Sequence, residues 1–443
     1  MLLEGLVVLI KNFSLLVIVL LLLSGCSSKR VDIPIYDLEH FSQDPETYAD
    51  KNIVNKNMLL DIQKKYKKSY FKPWHYTKVP YTLKEIMWPY DSYTKGSRYG
   101  GNLVELEDNW FDKMLYRSNF NEYGKLKKYA ITLNFTNLRN FPTSKPLFSD
   151  PSLAGEGYPF DYIQNSAVHA NEPLYLSHYS KDGAWVYAFS SYATGWIELK
   201  DIAFVTSTQR KKYENFKHIF IIKENYPVKT LAGDFLLHSR VGMLLPIIAT
   251  KKDYYIALAI EKRAKNRAIF TKVKIPKEVA SSTVLKLNSE NLASCATEMM
   301  KSEYGWGGVL KERDCSSTIR DMFVPFGIWL PRNSAQQAAV GKRLSIKDLT
   351  NSEKLEFIKN RAIPFETLLY KKGHILLYLG EYDGEVMVLQ NVWGIKTFND
   401  GVEGRKIIGR TVISTLKLGD RQDDFDEENS LLNTIESLNI ITL

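Results

Sequence analysis

The spacing of apolar positions changes several times along the chain and divides it into unlike stretches. Helical spacing predicts short helices near Asn57–Tyr66 and Asn109–Leu115, in a region otherwise rich in Tyr, Lys and Asn. From Ala130 to about Thr206 the pattern becomes short runs broken by Gly and Pro: I-T-L-N-F-T-N-L-R-N-F-P-T, P-L-Y-L-S-H-Y, A-W-V-Y-A-F and G-W-I-E-L-K-D-I-A-F-V. Successive strands of this length predict a small β-barrel. Helical spacing returns over Ser289–Lys301, through Leu292, Ala296 and Met299, and again after Asp314, through Ile319, Met322, Phe323 and Phe326, where Gly327 supplies a stop. From His374 two apolar strands follow, joined by a turn containing Asp383-Gly384, and strands after Gly394 extend the sheet. The tail carries an acidic run, read as a solvated loop, and then Leu431, Leu432, Ile435 and Leu438, whose spacing predicts an amphipathic helix.

The first residues have a different character. Leu15–Leu23 is an uninterrupted apolar run of nine residues that ends in L-S-G-C at Cys26. Nine residues are too few to cross a hydrocarbon layer of about 30 Å as a helix. The pattern is that of an export signal with a lipidation box, so that cleavage leaves an acylated Cys26 as the anchor; a single transmembrane anchor is the alternative. Ser27 then favours the outer membrane, facing the periplasm, if the cell is Gram-negative. Residues 26–35, polar and holding Pro34, read as a tether.

Composition narrows the rest. A chain of 443 residues, 44% hydrophobic and 25% charged, can hold two to four folded domains at roughly 100–200 residues each. A formal charge of +9 suits an anionic partner, but no basic cluster singles out nucleic acid, and the expected partners are a cell wall and a membrane. Three cysteines, Cys26, Cys295 and Cys315, and seven scattered histidines offer neither a disulfide framework nor a metal site, so no cofactor or metal is expected. Cys295, on the apolar side of its helix, reads as core.

Cys315 is the exception. Asp314 is a good N-cap, which puts Cys315 in the first turn of a helix, where unpaired N–H groups and the helix dipole favour thiolate over thiol. A thiolate needs a base, and His374 at the mouth of a strand can take the thiol proton and return it to a leaving amine. A third polar group must fix the imidazole, and Gln390 or Asn391 on the returning strand can do so.

In order along the chain, Y-G-W-G-G, D-C-S-S, L-P-R-N-S-A-Q-Q, G-H-I-L-L-Y-L-G and V-W-G resemble the bacterial cell-wall cysteine peptidases of the NlpC type. The resemblance implies a papain-like domain with Cys315 as nucleophile, His374 as base and Gln390 as the orienting residue, where the family usually has histidine. A two-residue turn at Asp383-Gly384 would put Asn391 on the histidine's face instead, and a loop longer by one residue restores Gln390. The resemblance further implies cleavage between the γ-carboxyl of D-glutamate and a diamino acid in peptidoglycan stem peptides. Asp314 would receive the substrate's ammonium, Tyr304 would wall the cleft, and Arg332 would bind a substrate carboxylate or anchor its loop.

Upstream, L-K-E-I-M-W-P-Y and Y-G-G-N resemble the stabilising domain that precedes some of these peptidases. L-R-N-F-P-T with G-W-I-E-L-K-D-I-A-F-V resembles a bacterial SH3-like domain, and residues about 213–275 resemble a second. The expected fold is α+β and multidomain: signal peptide 1–25, tether 26–35, helical stabilising (clamp) domain 36–129, SH3-like barrels 130–210 and 211–285, and peptidase 286–443, in a monomer. Trp185, Tyr187, Tyr192 and Trp196 are expected either to line a groove beside the peptidase or to fill a barrel core. The rival functions are a peptidoglycan-binding lipoprotein with a spent active site, and acyl transfer to an amine.

Overall fold

The computed structural model describes residues 34–49, 59–107 and 109–442. Cys26, the export signal and most of the tether lie outside them. Among the described residues no helix is long and apolar enough to cross a membrane.

The described α-helices of the N-terminal part include α1 (Tyr36–His40), α2 (Leu59–Tyr70) and α3 (Asn109–Ser118), with two short ones, Leu83–Ile86 and Trp88–Tyr93, between the last two. Their apolar faces are buried against the rest of the chain. Tyr66 and Tyr70 of α2, with Phe71 and Trp74, join a cluster that includes Ile131, Phe220, Leu244 and Val324, so one aromatic face touches three later regions. Met114 of α3 packs with Phe141 and Ile163. This is the behaviour of a clamp.

Two β-barrels follow. The first runs from strand Lys128–Thr132 to strand Ile202–Phe204, around a core that includes Leu138, Val168, Leu176 and Ile197. The second runs from His218–Ile221 to Ala280–Ser281, around Val228, Leu245, Ala257 and Ile275. A pairing of Arg267 with Phe204 joins them into one hydrogen-bonded sheet.

The C-terminal part packs α4 (Ser289–Met299) and α5 (Cys315–Phe323) on a six-stranded sheet. Its strands are β1 (Lys342–Ser345), β2 (Thr367–Lys371), β3 (His374–Tyr382), β4 (Glu385–Asn399), β5 (Val402–Thr415) and β6 (Ser437–Ile440), in the order β1-β6-β2-β3-β4-β5. Leu292, Cys295, Ala296 and Met299 of α4 meet Ile319, Met322 and Phe323 of α5 and Ile375, Leu377 and Leu389 of the sheet in one core. Burying Leu-, Met- or Phe-sized side chains there stabilises by about 1.5–3 kcal/mol each. Asp314 caps α5 reciprocally: Ser317 N–H donates to Asp314 Oδ1 at 2.9 Å and Ser317 Oγ accepts from Asp314 N–H at 2.9 Å.

One element departs from expectation. The tail is helical only over Leu431–Thr434, and Ser437–Ile440 is β6, inserted between β1 and β2. Leu431, Leu432, Ile435 and Leu438 fit a helical stripe, but a short helix followed by a strand buries the same residues, and the sheet supplies two partners for the backbone. Helix α4 also ends two residues before Lys301, at Met299.

Candidate active site

Cys315 stands at the first position of α5, on a cavity of about 800 Å³. Three parts of the chain wall the cavity: Tyr304, Asp314 and Arg332 of the C-terminal part, Asn165 and Tyr192 of the first barrel, and Tyr81 and Glu85 of the clamp. The sulfur accepts backbone N–H groups from Ser316 and from Ile375, the residue that follows His374. His374 opens β3, as expected, and its Nε2 lies 2.8 Å from Gln390 Oε1.

The polarity of this contact is set from behind. Gln390 Nε2 donates to Ser414 Oγ at 2.7 Å, and Ser414 Oγ in turn donates to the Thr415 carbonyl at 3.0 Å. With its amide nitrogen committed, Gln390 must present its oxygen to the imidazole, so the ring proton sits on Nε2. Nδ1 is left as the acceptor for a thiol proton.

Gln390 reaches the histidine by an unexpected route. The turn at Asp383-Gly384 is the two-residue one, both residues at positive φ, with Tyr382 paired to Glu385. The register then shifts by one between Tyr378 and Gly380, so that Leu377 faces Leu389. A bulge does what a longer loop was expected to do. Asn391 consequently lies on the opposite face, donating to the carbonyls of Glu303 and Arg313 and to Thr318 Oγ1, where it ties the strand to the base of α5.

The expected thiolate is not what the geometry favours. Burial, reinforced by the neighbouring Asp314 charge, pushes the Cys315 thiol up to about 12, against the N–H groups of Ile375 and Ser316 and the Arg332 charge that pull it down. Burial, with the Lys371 charge, also pushes His374 down to about 4, against its bond to Gln390 and the Asp314 charge. The resting pair is therefore thiol and neutral imidazole. Cys295, likewise pushed up to about 12 by burial, is a core residue, as its position on α4 suggested.

Of the roles weighed for Asp314 and Arg332, the structure shows the helix cap and the loop anchor. The Asp314 carboxylate accepts from Ser317 N–H, Ser316 Oγ, Gly307 N–H and both terminal nitrogens of Arg332, the last two at 3.0 and 2.6 Å. Burial alone would raise that carboxyl, but Arg332 and Ser317 outweigh it and hold it below the usual range. Arg332 is equally committed, its Nε donating to Ser166 Oγ of the first barrel at 2.8 Å. Both line the cavity, but as an internal ion pair that fixes the loop rather than as free partners for a substrate's charges. Tyr304 also lines it, its ring 6.0 Å from Trp393.

Of the four barrel aromatics, Trp185, Tyr187 and Trp196 are core and only Tyr192 reaches the cavity. Tyr192 is held by Arg320, whose guanidinium lies 3.4 Å from the ring centroid.

Sequence reasoning missed a second polar cluster on the far side of α5. Asp321 accepts from Arg313 Nε at 2.8 Å and Arg320 at 2.7 Å, and its Oδ1 lies 3.0 Å from His169 Nε2 of the first barrel. Arg313 also donates to Glu224 of the second barrel at 2.8 Å. Burial would raise Asp321, yet His169, Arg313 and Arg320 together hold it far below the usual carboxylate range. The only signal in the sequence was that R-D-C-S-S-T-I-R-D carries charge on both sides of the cysteine. The glycines of Y-G-W-G-G belong to the same docking. Gly307 and Gly308 sit at φ +62° and +90°, and a Cβ on either would come within 2.5 Å of Gln164 or Ala167 of the first barrel.

Comparison with known proteins agrees with this division of the chain. Family models match residues 15–123 as the NLPC_P60 stabilising domain, 146–198 as an SH3 domain of SH3b1 type, 207–252 as an SH3 domain of SH3b2 type, and 301–392 as the NlpC/P60 family. No curated protein matches the chain. Among solved structures, an NlpC/P60 endopeptidase from Photobacterium damselae subsp. piscicida superposes with a TM-score of 0.80 at 24% identity, over 93% of this chain and 98% of its own. An NlpC/P60 family protein from Bacillus cereus ATCC 10987, 13% identical over 70% of this chain and 99% of its own, has a TM-score of 0.47. By fold and by domain, then, the helix that presents Cys315 and the strand that presents His374 belong to an NlpC/P60 domain, preceded by its stabilising domain and two bacterial SH3 domains.

Proposed function

We propose that this chain is a cysteine peptidase of the bacterial cell wall that hydrolyses an amide bond in peptidoglycan stem peptides. What supports the reading is the oriented chain His374–Gln390–Ser414 together with a thiol at the first turn of a helix, on a cavity large enough for a short peptide, to whose sulfur Ile375, the residue after His374, brings its N–H.

From a neutral pair, the chemistry starts with proton transfer. Sγ–H passes its proton to His374 Nδ1 as sulfur attacks the carbonyl carbon, so the thiolate exists only when there is a substrate to attack. The Cys315 N–H at the start of α5 would hold the oxyanion, the N–H groups of Ser316 and Ser317 being taken by the sulfur and by Asp314. The imidazolium returns its proton to the leaving amine, and water, deprotonated by the same ring, releases the acid and the free thiol. Gln390 orients the ring but carries no charge to stabilise an imidazolium, which makes this an ordinary rather than a hyperactive peptidase.

We assign the scissile bond to that between the γ-carboxyl of D-glutamate and a diamino acid, with Tyr304 as the wall nearest the sulfur and the Asp314–Arg332 pair shaping the pocket. The clamp and the first barrel narrow the cavity and favour short peptides over intact wall. We also assign the protein to the cell envelope, held by lipid on Cys26, on the strength of L-S-G-C at residues 23–26. Substitution Cys26→Ala should move it from the membrane to the soluble fraction.

The test is to incubate the protein from residue 27 onward with purified stem tripeptide and with intact sacculi, and to identify new amines and masses. The tripeptide should be cleaved by wild type and not by Cys315→Ala. Equal product from both, or none from either, would remove the hydrolase reading.

A further inference from the structure

Strand β5 is the last of its sheet, so every second residue along it turns its backbone N–H and C=O outward. At Gly409 and Thr411 those groups pair with Tyr304 N–H (2.8 Å) and the Ser302 carbonyl (3.1 Å). Further along, at Ile413 and Thr415, they are met by side chains from the opposite end of the chain.

Gln43 brackets Ile413, donating from Nε2 to its carbonyl and accepting its N–H at Oε1, both at 2.9 Å. Asp37 of α1 accepts Thr415 N–H at 2.7 Å and Thr415 Oγ1 at 2.8 Å, both on Oδ2, across 378 residues of sequence. Phe41 and Tyr48 of the same segment sit in the core of the peptidase domain. Between the two clamped positions lies Ser414, which accepts from Gln390 and donates to the carbonyl of Thr415. A continuous polar chain thus runs from His374 through Gln390, Ser414 and Thr415 to Asp37. Each of its last four members is buried, at 0, 0, 4 and 2% exposure.

An amide can present either end to an imidazole. Turned over, Gln390 would offer its NH₂ to Nε2 and favour the tautomer protonated on Nδ1, which cannot take a proton from sulfur. Ser414 decides the matter, because its own hydrogen is spent on the Thr415 carbonyl and it can only accept from Gln390. That holds for as long as the Thr415 peptide is kept in place. A buried carboxylate is a costly way to staple a strand end if stapling were all that was needed.

The geometry points to Asp37 and Gln43 as positioning residues of the peptidase: by fixing the edge of β5 on either side of Ser414, they hold Gln390 in the one orientation that makes His374 a base. The assignment rests on the reading of Cys315 and His374 as the reacting pair, and it gives the segment Tyr36–Tyr48 a part in the chemistry rather than in packing alone.

The full chain carrying Asp37→Ala, Asp37→Asn or Gln43→Ala tests this by two readouts, turnover of stem tripeptide and the tautomer of His374 from ¹⁵N-labelled imidazole. The expected result for Asp37→Ala is a kcat lower by on the order of 10- to 100-fold with KM unchanged, and a ring that samples both tautomers. Asp37→Asn keeps an oxygen acceptor for both Thr415 groups and should stay near wild type in both readouts. Gln43→Ala should fall between them, and it carries the test if Asp37→Ala does not fold. Wild-type kcat and a single Nε2–H tautomer in the alanine variants would overturn the proposal, as would an Asp37→Asn variant that loses as much as Asp37→Ala. A wild type that cleaves nothing sinks the peptidase reading instead and leaves the tautomer test standing.

Discussion

His169 is buried and His374 half-buried, and each points Nε2 at an oxygen: Asp321 Oδ1 at 3.0 Å for the first, Gln390 Oε1 at 2.8 Å for the second. By composition the first pair has the stronger claim to catalysis, since a carboxylate can stabilise an imidazolium and an amide cannot. Geometry reverses the ranking. Asp321 already holds Arg313 and Arg320, the His169 Nδ1 atom meets no hydrogen-bond partner, and the group is sealed between α5 and the barrels. His374 instead stands one residue from the N–H that touches the Cys315 sulfur. The two sides of α5 thus divide the work: full charges behind the helix dock three domains, and in front of it burial keeps a thiol and an imidazole uncharged until they react, beside an Asp314–Arg332 pair closed on itself.

The sharpest way to break that division is at the front. Cys315→Ala should abolish turnover and His374→Ala should lower kcat by on the order of 10²–10⁴-fold, both with an unchanged melting temperature, as followed by peptide release and by calorimetry. Next comes Gln390→Ala, expected to lose about 10- to 100-fold in kcat, as happens when a group that only orients another is removed. At the back, Asp321→Ala should cost about 3–5 kcal/mol in urea unfolding, because it strips Arg313 and Arg320 of their shared counter-charge, while kcat per folded molecule changes little. His169→Gln at the same site should leave kcat alone; a large kcat loss there would mean that the two histidines are not divided as described.

Acidity gives a smaller and more discriminating effect. A His374 pushed down to about 4 places the acid limb of kcat/KM near pH 4 rather than near 6.5. The sign for stability follows: the unfolded ring takes up a proton below about 6.5 and the folded ring resists it, so this group's contribution is lost as pH falls from about 6.5 towards 4. Alkylation of Cys315 by iodoacetamide in the absence of substrate should be slow at pH 7 and should climb through pH 9 to 11, because the thiol is pushed up to about 12. A fast, pH-independent alkylation at neutrality would show a preformed thiolate.

Much of the front was legible from residue order. Helical spacing from Ile319 to Phe326 and an N-cap aspartate placed Cys315, and two alternating runs around Asp383-Gly384 placed His374. What decided between Gln390 and Asn391 was a bulge near Leu379, and a bulge leaves no periodic trace beyond Gly380, which sits at φ +128°. The charged back was illegible because nothing local to Arg313, Arg320 and Asp321 says that barrels from elsewhere in the chain cover them. The thiolate was misjudged for the related reason that burial, a tertiary property, overrode the local field of the helix.

A methyl group on Gly307 or Gly308 would run into another domain, the backbone of Gln164 in the first case and the side chain of Ala167 in the second. The pair therefore records an architecture, not a reaction. In a chain of this kind that has shed its first barrel, the steric bar at both positions would go but the positive φ would still favour glycine, so exchange there should be confined to residues such as asparagine that tolerate the left-handed region.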